Sequence, residues 1–384
     1  MSISFCAFHV RTRENNTRRI ILKYFDEIPI IRAIATLLVV CVHLSVSYTN
    51  SENSQSMTVI AGYLSQIARL GTPIFAVISA FLLTNSALRR GFDLNYFIRS
   101  RFTKIFIPYL IWTTVYLYYL GVVEVTLNSD TNFLEYYLYG TGNYHLYFIL
   151  TVIEFYILFP ILQKIKKGIP LLLAYGTLTL VNALWLLYNQ HFTLDIPILG
   201  TFISSRSFIL NWISYFMLGI VFAKYYEEIN IMIKRYKAIC LPIITVLFIS
   251  FLLFIDLDNF VTSSHPIFLL YIPFFLALLI YFNALIKNNK LIIKTLTHIG
   301  NYSMGIYLVH PLVKWLVHKI PVFDNRDSFF LYGLSFVIIV VISIVIIGLL
   351  IKIPNGNYIV PVPKKSKIVN NSKNNLTSEP ATID

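Results

Sequence analysis

The chain has 384 residues, 57% hydrophobic and only 13% charged, with a formal charge of +13. Soluble domains carry about a quarter charged residues, so this composition excludes an ordinary cytosolic enzyme and a disordered protein. In a soluble chain the cation surplus would point to nucleic acid; here it first asks which side of a membrane holds the charge.

A spanning helix needs about 20 mostly apolar residues. Ten segments of that kind follow one another, near 28–48, 64–87, 105–122, 144–163, 168–188, 207–224, 238–255, 266–286, 295–317 and 328–351. The fold class expected is all-α: a polytopic membrane protein of about ten transmembrane helices. Residues 1–27 read as a cytoplasmic arm, 28–353 as the transmembrane domain and 354–384 as a disordered cytoplasmic tail, being rich in Pro, Asn, Lys and Ser. Met1 to Val10 does not read as a signal peptide, because its basic residues follow the apolar stretch instead of preceding it. The three cysteines, Cys6, Cys41 and Cys240, are too scattered for a disulfide framework or a zinc ribbon.

The charges test the span count. With ten spans both termini face one side. All but six of the 31 Lys and Arg then fall on that side; the exceptions are Arg32, Arg69 and Lys314 within spans and Arg206, Lys319 and Arg326 on the opposite loops. Half of the 18 acids lie on those opposite loops, Glu124, Asp256 and Asp327 among them. That asymmetry fits the positive-inside rule and puts both termini in the cytoplasm. The basic surplus is therefore a topology signal, and no nucleic-acid partner is expected. The partner implied directly is the lipid bilayer, with Arg11, Arg13, Arg18, Arg19 and Lys23 placed to rest on anionic lipid.

Ionisable side chains inside hydrocarbon cost several kcal/mol unless paired or wet, so each is a functional candidate weighed against a helix–helix hydrogen bond. In the first span Arg32 and His43 stand eleven residues apart, close to three full turns. They share one face and span about 16 Å. The second span carries Arg69 near its outer end, at a depth similar to His43, and Pro73 is expected to kink it. Ser79 beside Ala80 permits close helix approach, and no base is placed by sequence to make Ser79 a nucleophile. The fourth span opens with Tyr144-His145 and carries Glu154 near its middle, either as a catalytic group or paired with Arg69 or Arg32. The ninth contains Tyr307 and His310, with Pro311 expected to break the helix. The histidines lie on separate spans without a matching carboxylate, so no metal site is expected. Trp112, Trp185, Trp212 and Trp315 lie near span ends, as interfacial belt residues do.

These residues carry a resemblance. The chain resembles the acyltransferase-3 family of integral membrane acyltransferases, in its stand-alone form, over roughly residues 25–350. Arg32 and His43 match that family's Arg-x10-His pattern. Arg101-Phe102-Thr103-Lys104-Ile105-Phe106-Ile107-Pro108-Tyr109 is similar to its basic segment before the third span, with Lys104 where Arg is frequent. Gly71-Thr72-Pro73-Ile74-Phe75 through Ser79-Ala80-Phe81-Leu82-Leu83 resembles its second-span motif, with Ala80 where Gly is commoner. His145-Leu146-Tyr147-Phe148, with Tyr147 where Trp is commoner, resembles the start of its fourth span. Tyr302-Ser303 through Ile306-Tyr307-Leu308-Val309-His310-Pro311 resembles its late-span motif.

The resemblance implies transfer of an acyl group, most often acetyl, from cytoplasmic acyl-CoA to a hydroxyl of an envelope carbohydrate or exopolysaccharide. It places the chain in a bacterial plasma membrane, with no permanently bound cofactor and acyl-CoA as co-substrate. The acceptor is that carbohydrate or a separate extracytoplasmic protein that takes the acyl group. Site expectations follow. Arg101, Lys104 and Arg32 hold the donor. His43, Arg32, Arg69 and Glu154 are the catalytic candidates, His43 as base or transient acyl carrier. His145, His310 and Tyr307 face the acceptor, and Tyr307 or Arg69 stabilises the oxyanion. Two other readings compete: an exopolysaccharide exporter without acyl transfer, and a non-enzymatic sensor or scaffold.

Overall fold

The computed structural model describes residues 25, 27–49, 54–124, 126–127, 132–191, 196, 199–257 and 259–363. Most of the expected N-terminal arm, the loop acids Glu52, Asp130, Asp195 and Asp258, and residues 364–384 of the expected tail lie outside them. Among the described residues there is no strand. In chain order the helices are α1 (Glu27–Thr49), α2 (Gln55–Ala68), α3 (Gly71–Arg90), α4 (Leu94–Arg101), α5 (Ile107–Tyr118), α6 (Phe133–Tyr139), α7 (Tyr147–Leu162), α8 (Ile169–His191), α9 (Leu199–Ser204), α10 (Ile213–Lys224), α11 (Tyr226–Arg235), α12 (Lys237–Phe254), α13 (Ile267–Ile286), α14 (Lys290–His318), α15 (Pro321–Asp324) and α16 (Phe329–Leu350).

Eight helical stretches among the described residues are long and apolar enough to cross a membrane. They coincide with eight of the ten expected spans. The other two positions also hold helices, each with a reason to fall short. α7 is apolar but has only 16 residues, because the chain is still turning at 143–146. α14 runs for 29 residues, but His298, Asn301, Ser303, His310 and Lys314 dilute its apolar content. The chain is a multi-pass, all-α membrane protein, and α14, the long helix that carries these polar residues, lies against the centre of the fold.

α1 is that centre. It packs along α14, α2 and α3, while α10 fills the groove beside α3 and α8. α12, α13 and α16 carry apolar faces with little burial and form the periphery, as lipid-facing helices do. The α1–α14 crossing is tight because Gly300 has no side chain: a Cβ built there would stand 1.9 Å from the Pro29 carbonyl oxygen. That neighbour is backbone and cannot rotate away. Gly300→Ala is expected to cost about 1–3 kcal/mol by overpacking, read as a lower melting temperature and a smaller monodisperse peak in detergent. An unchanged melt would mean the crossing is looser than described.

Three local expectations change. The second span is two helices, broken at Arg69–Leu70, and Pro73 sits in the first turn of α3, where its missing N–H is harmless. Pro311 lies inside α14 without ending it. Residues 354–363 do not behave as a disordered tail: a 3-10 turn covers Gly356–Tyr358, and Val360 is fully buried. Two of the tryptophans are also not belt residues. Trp212 is buried and donates to the Arg206 carbonyl, and Trp112, equally buried, donates to the Ile359 carbonyl at 3.0 Å.

Candidate active site

A cavity of about 700 Å³ opens between α1, α3, α7, α14 and the segment before α5. Arg32, Arg101, Lys104, Ser79, Ser303 and Tyr307 are among the side chains lining it. Arg101 ends α4, and the next five residues, Phe102–Phe106, form a π-helical turn that carries Lys104. Such bulges recur at functional sites because they re-aim side chains. Here the bulge puts both cations on the cavity wall, as their three-residue spacing anticipated. The Arg101 guanidinium lies 5.8 Å from the Tyr156 ring centre and donates to Ser100 Oγ at 3.2 Å, while its Nε has no partner. Arg32 donates to Ser303 Oγ through Nε at 3.0 Å and through a terminal nitrogen at 2.7 Å. Ser303 thereby aims a span-embedded cation into the cavity from the α1–α14 seam.

Three rings pack on one another in the cavity wall. Phe75, Phe148 and Tyr307 line it, and their centroids lie 6.0 to 6.5 Å apart. Next to Tyr307 stand three histidines that do not line the cavity. His43 of α1 stacks on His310 of α14 with centroids 5.4 Å apart, and His145 meets His310 edge-on at 5.6 Å. The Tyr307 ring joins them to the cavity wall, lying 5.3 Å from the His145 ring. So the structure brings His43, His145 and His310 together next to Tyr307, which lines the cavity that also holds Arg32, Arg101 and Lys104.

Proline chemistry fixes the tautomer of His310. Pro311 has no N–H to offer the Tyr307 carbonyl one turn back. His310 Nδ1 lies 2.9 Å from that oxygen and 3.0 Å from the Ile306 carbonyl. Carbonyls only accept, so Nδ1 carries the proton and Nε2 presents a lone pair, which is buried and has no partner. His145 follows the same plan: Nδ1 faces Asn143 Oδ1 at 3.2 Å and Nε2 is unpartnered. With 1% exposure, His145 is no solvated loop-end residue.

Two expected site residues take other work. The Tyr307 hydroxyl donates to the His145 carbonyl, so its proton is committed and it is not a free oxyanion donor. Glu154 faces away from the cavity, accepts the Ile209 N–H at 2.8 Å, and so caps the 3-10 turn Ile209–Asn211. It pairs with neither Arg69 nor Arg32 among the described contacts. Glu154→Gln keeps an acceptor there and is expected to hold activity within a few-fold of wild type. Glu154→Ala leaves the Ile209 N–H unmet and should cost about 1–3 kcal/mol of stability. A melt in detergent and a transfer assay on both variants check this.

Arg69 stands at the α2–α3 break, within electrostatic reach of His43, Tyr147 and Arg206, and its Nε has no hydrogen-bond partner. Sequence reasoning passed over Lys314. Its ammonium donates to the His43 carbonyl at 3.1 Å and to Ser47 Oγ at 3.3 Å, and lies 5.2 Å from the Tyr144 ring centre. Four residues after His310 on one helix, it shares that face. A lysine inside an apolar span was the signal that could have found it. Among the described residues no group of histidine, cysteine, aspartate or glutamate could hold a metal ion.

The sequence model of the acyltransferase-3 family, an acyltransferase domain, matches residues 25–351. The chain belongs to the acyltransferase-3 family. Curated relatives are similar over most of their length. A probable poly-beta-1,6-N-acetyl-D-glucosamine export protein of Staphylococcus epidermidis is 28% identical over 75% of this chain and 80% of its own. The same-named protein of Staphylococcus aureus (strain MRSA252) is 25% identical over 75% of this chain and 81% of its own. No solved structure matches. In this acyltransferase-3 chain the matched region takes in the cavity cations and the histidine cluster, and ends where the segment after α16 begins.

Proposed function

We propose that this membrane acyltransferase moves an acyl group from acyl-CoA, entering from the cytoplasm, to a hydroxyl of an envelope carbohydrate such as an exopolysaccharide. One observation carries the reading: a cavity lined by three cations borders, through Tyr307, a cluster of three histidines. Acyl-CoA has that polarity, with phosphates at one end and a thioester at the end of a long neutral arm. Guanidinium groups suit phosphate because they grip two oxygens at once. Arg101 and Lys104 would hold the nucleotide phosphates, and Arg32 the upper phosphate or the arm's first amide. The charge asymmetry of the loops supports placing the cation end, and both termini, in the cytoplasm of a bacterium.

At the cluster, the acceptor hydroxyl attacks the thioester carbon. An imidazole Nε2 takes the hydroxyl proton as the new C–O bond forms. His43 and His310 are the candidates, and stacking holds them as one unit. The tetrahedral oxyanion needs a donor that is not already committed. Arg69 Nε fits, as does the N–H of Lys314 left over from its two hydrogen bonds. The C–S bond then breaks, and the imidazolium returns its proton to the departing thiolate. The thioester must pass between Phe75, Phe148 and Tyr307 to arrive there, so those rings separate the donor side from the acceptor side between turnovers.

The name of the staphylococcal relatives favours a second reading, export of a polysaccharide. The two separate in one experiment. Membranes carrying the protein are given acetyl-CoA with labelled acetyl, and envelope carbohydrate is assayed for label. Transfer predicts protein-dependent label in the carbohydrate. Export predicts no transfer, with polymer retained inside cells that lack the protein.

A further inference from the structure

The segment after α16, expected to be a disordered tail, instead builds one wall of the cavity. We propose that residues 355–363 form the face on which the purine ring of the nucleotide donor stacks; this rests on the acyl-CoA reading above. The chain turns sharply after α16. Asn355 adopts a left-handed conformation with φ of 62°, which asparagine tolerates better than most residues. Gly356 follows, where a Cβ would stand 1.9 Å from the Leu350 carbonyl oxygen. The turn sends the chain back across the cavity mouth, and two anchors fix it. Val360 is fully buried, and the Trp112 indole donates to the Ile359 carbonyl.

The result places Asn357, Tyr358, Pro361, Val362 and Pro363 on the same cavity wall as Arg101 and Lys104. The turn Gly356–Tyr358 packs against the π-helical turn that carries Lys104. A phosphate-binding pair thus stands beside a tyrosine, two prolines and an amide. Tyr358 is 42% exposed, and among the described residues no other ring stacks on it. An aromatic face beside cations is what a nucleotide needs: the ring stacks and the phosphates pair. The Asn357 amide can both donate to and accept from a purine edge. A donor lacking the nucleotide has nothing to place there.

The test uses the full-length protein in detergent with two donors, acetyl-CoA and acetyl-pantetheine, which carries the same thioester and arm but no nucleotide. For Tyr358→Ala, KM for acetyl-CoA is expected to rise about tenfold or more, with kcat unchanged. KM for acetyl-pantetheine should not move, and Tyr358→Phe should restore acetyl-CoA use. Adenosine 3′,5′-bisphosphate should compete with acetyl-CoA in the wild type and lose that effect in Tyr358→Ala. Equal losses with both donors would mean that the segment only props the fold, overturning the inference. An unchanged KM for acetyl-CoA would also overturn it. A wild type that uses both donors equally well overturns the purine face alone; one that uses neither overturns the donor reading itself.

Discussion

His43→Ala is expected to lower kcat for acyl transfer by about 10²–10⁴-fold, the range that a positioned acid–base group supplies, while donor affinity stays near wild type. The second half of that expectation comes from geometry. His43 does not line the cavity that holds the cations, and its ring stacks on His310, which in turn meets Tyr307 on the cavity wall. His310→Ala should fall by a similar factor, because its ring stacks on His43 and its Nε2 is a buried lone pair with no partner. Residues that act as one unit are not additive, so the double variant should be little worse than either single one. Two small effects that multiply would mean that the rings act separately. Loss of donor binding in His43→Ala would put the histidine in docking.

Arg101→Ala should act oppositely, raising KM for the donor about tenfold or more with kcat little changed. One lost hydrogen bond to a charged group is worth about 1.5–3 kcal/mol. Arg101 lines the cavity, and its Nε is buried and has no hydrogen-bond partner. Arg101→Lys should restore only part of the affinity, because an ammonium cannot reproduce the planar fork. Lys104→Ala should follow the same direction with a smaller effect. A fall in kcat at constant KM in either variant would remove these residues from the donor site.

Much of this was legible from residue spacing. Helical period alone put Arg32 and His43 on one stripe, and the structure uses that stripe against α14. The three-residue step from Arg101 to Lys104 also survived, although a π-helical turn intervenes. What period cannot show is which neighbour a polar group finds. Glu154 looked catalytic because it is an acid in a span; in the fold it caps a turn at Ile209. Tyr307 looked like an oxyanion donor until its hydroxyl was seen to be spent on the His145 carbonyl. Lys314 counted only as a cation within a span, yet its ammonium ties α14 to α1 at His43. The tail misled for a compositional reason. Pro, Asn and Lys signal disorder when no partner surface exists, but Trp112 and the cavity mouth supply one for residues 355–363.

Every step proposed above requires that acyl-CoA bind in the cavity. The most direct test is the thermal stability of the purified full-length protein with acetyl-CoA, with CoA and with ATP, for wild type and Arg101→Ala. Ligand that binds only the folded state raises the melting temperature, by an amount that grows with the logarithm of its concentration over its Kd. The expected result is a rise with CoA and acetyl-CoA beyond that with ATP, lost or much reduced in Arg101→Ala. No rise with CoA at saturating concentration, or an equal rise with ATP, would contradict it.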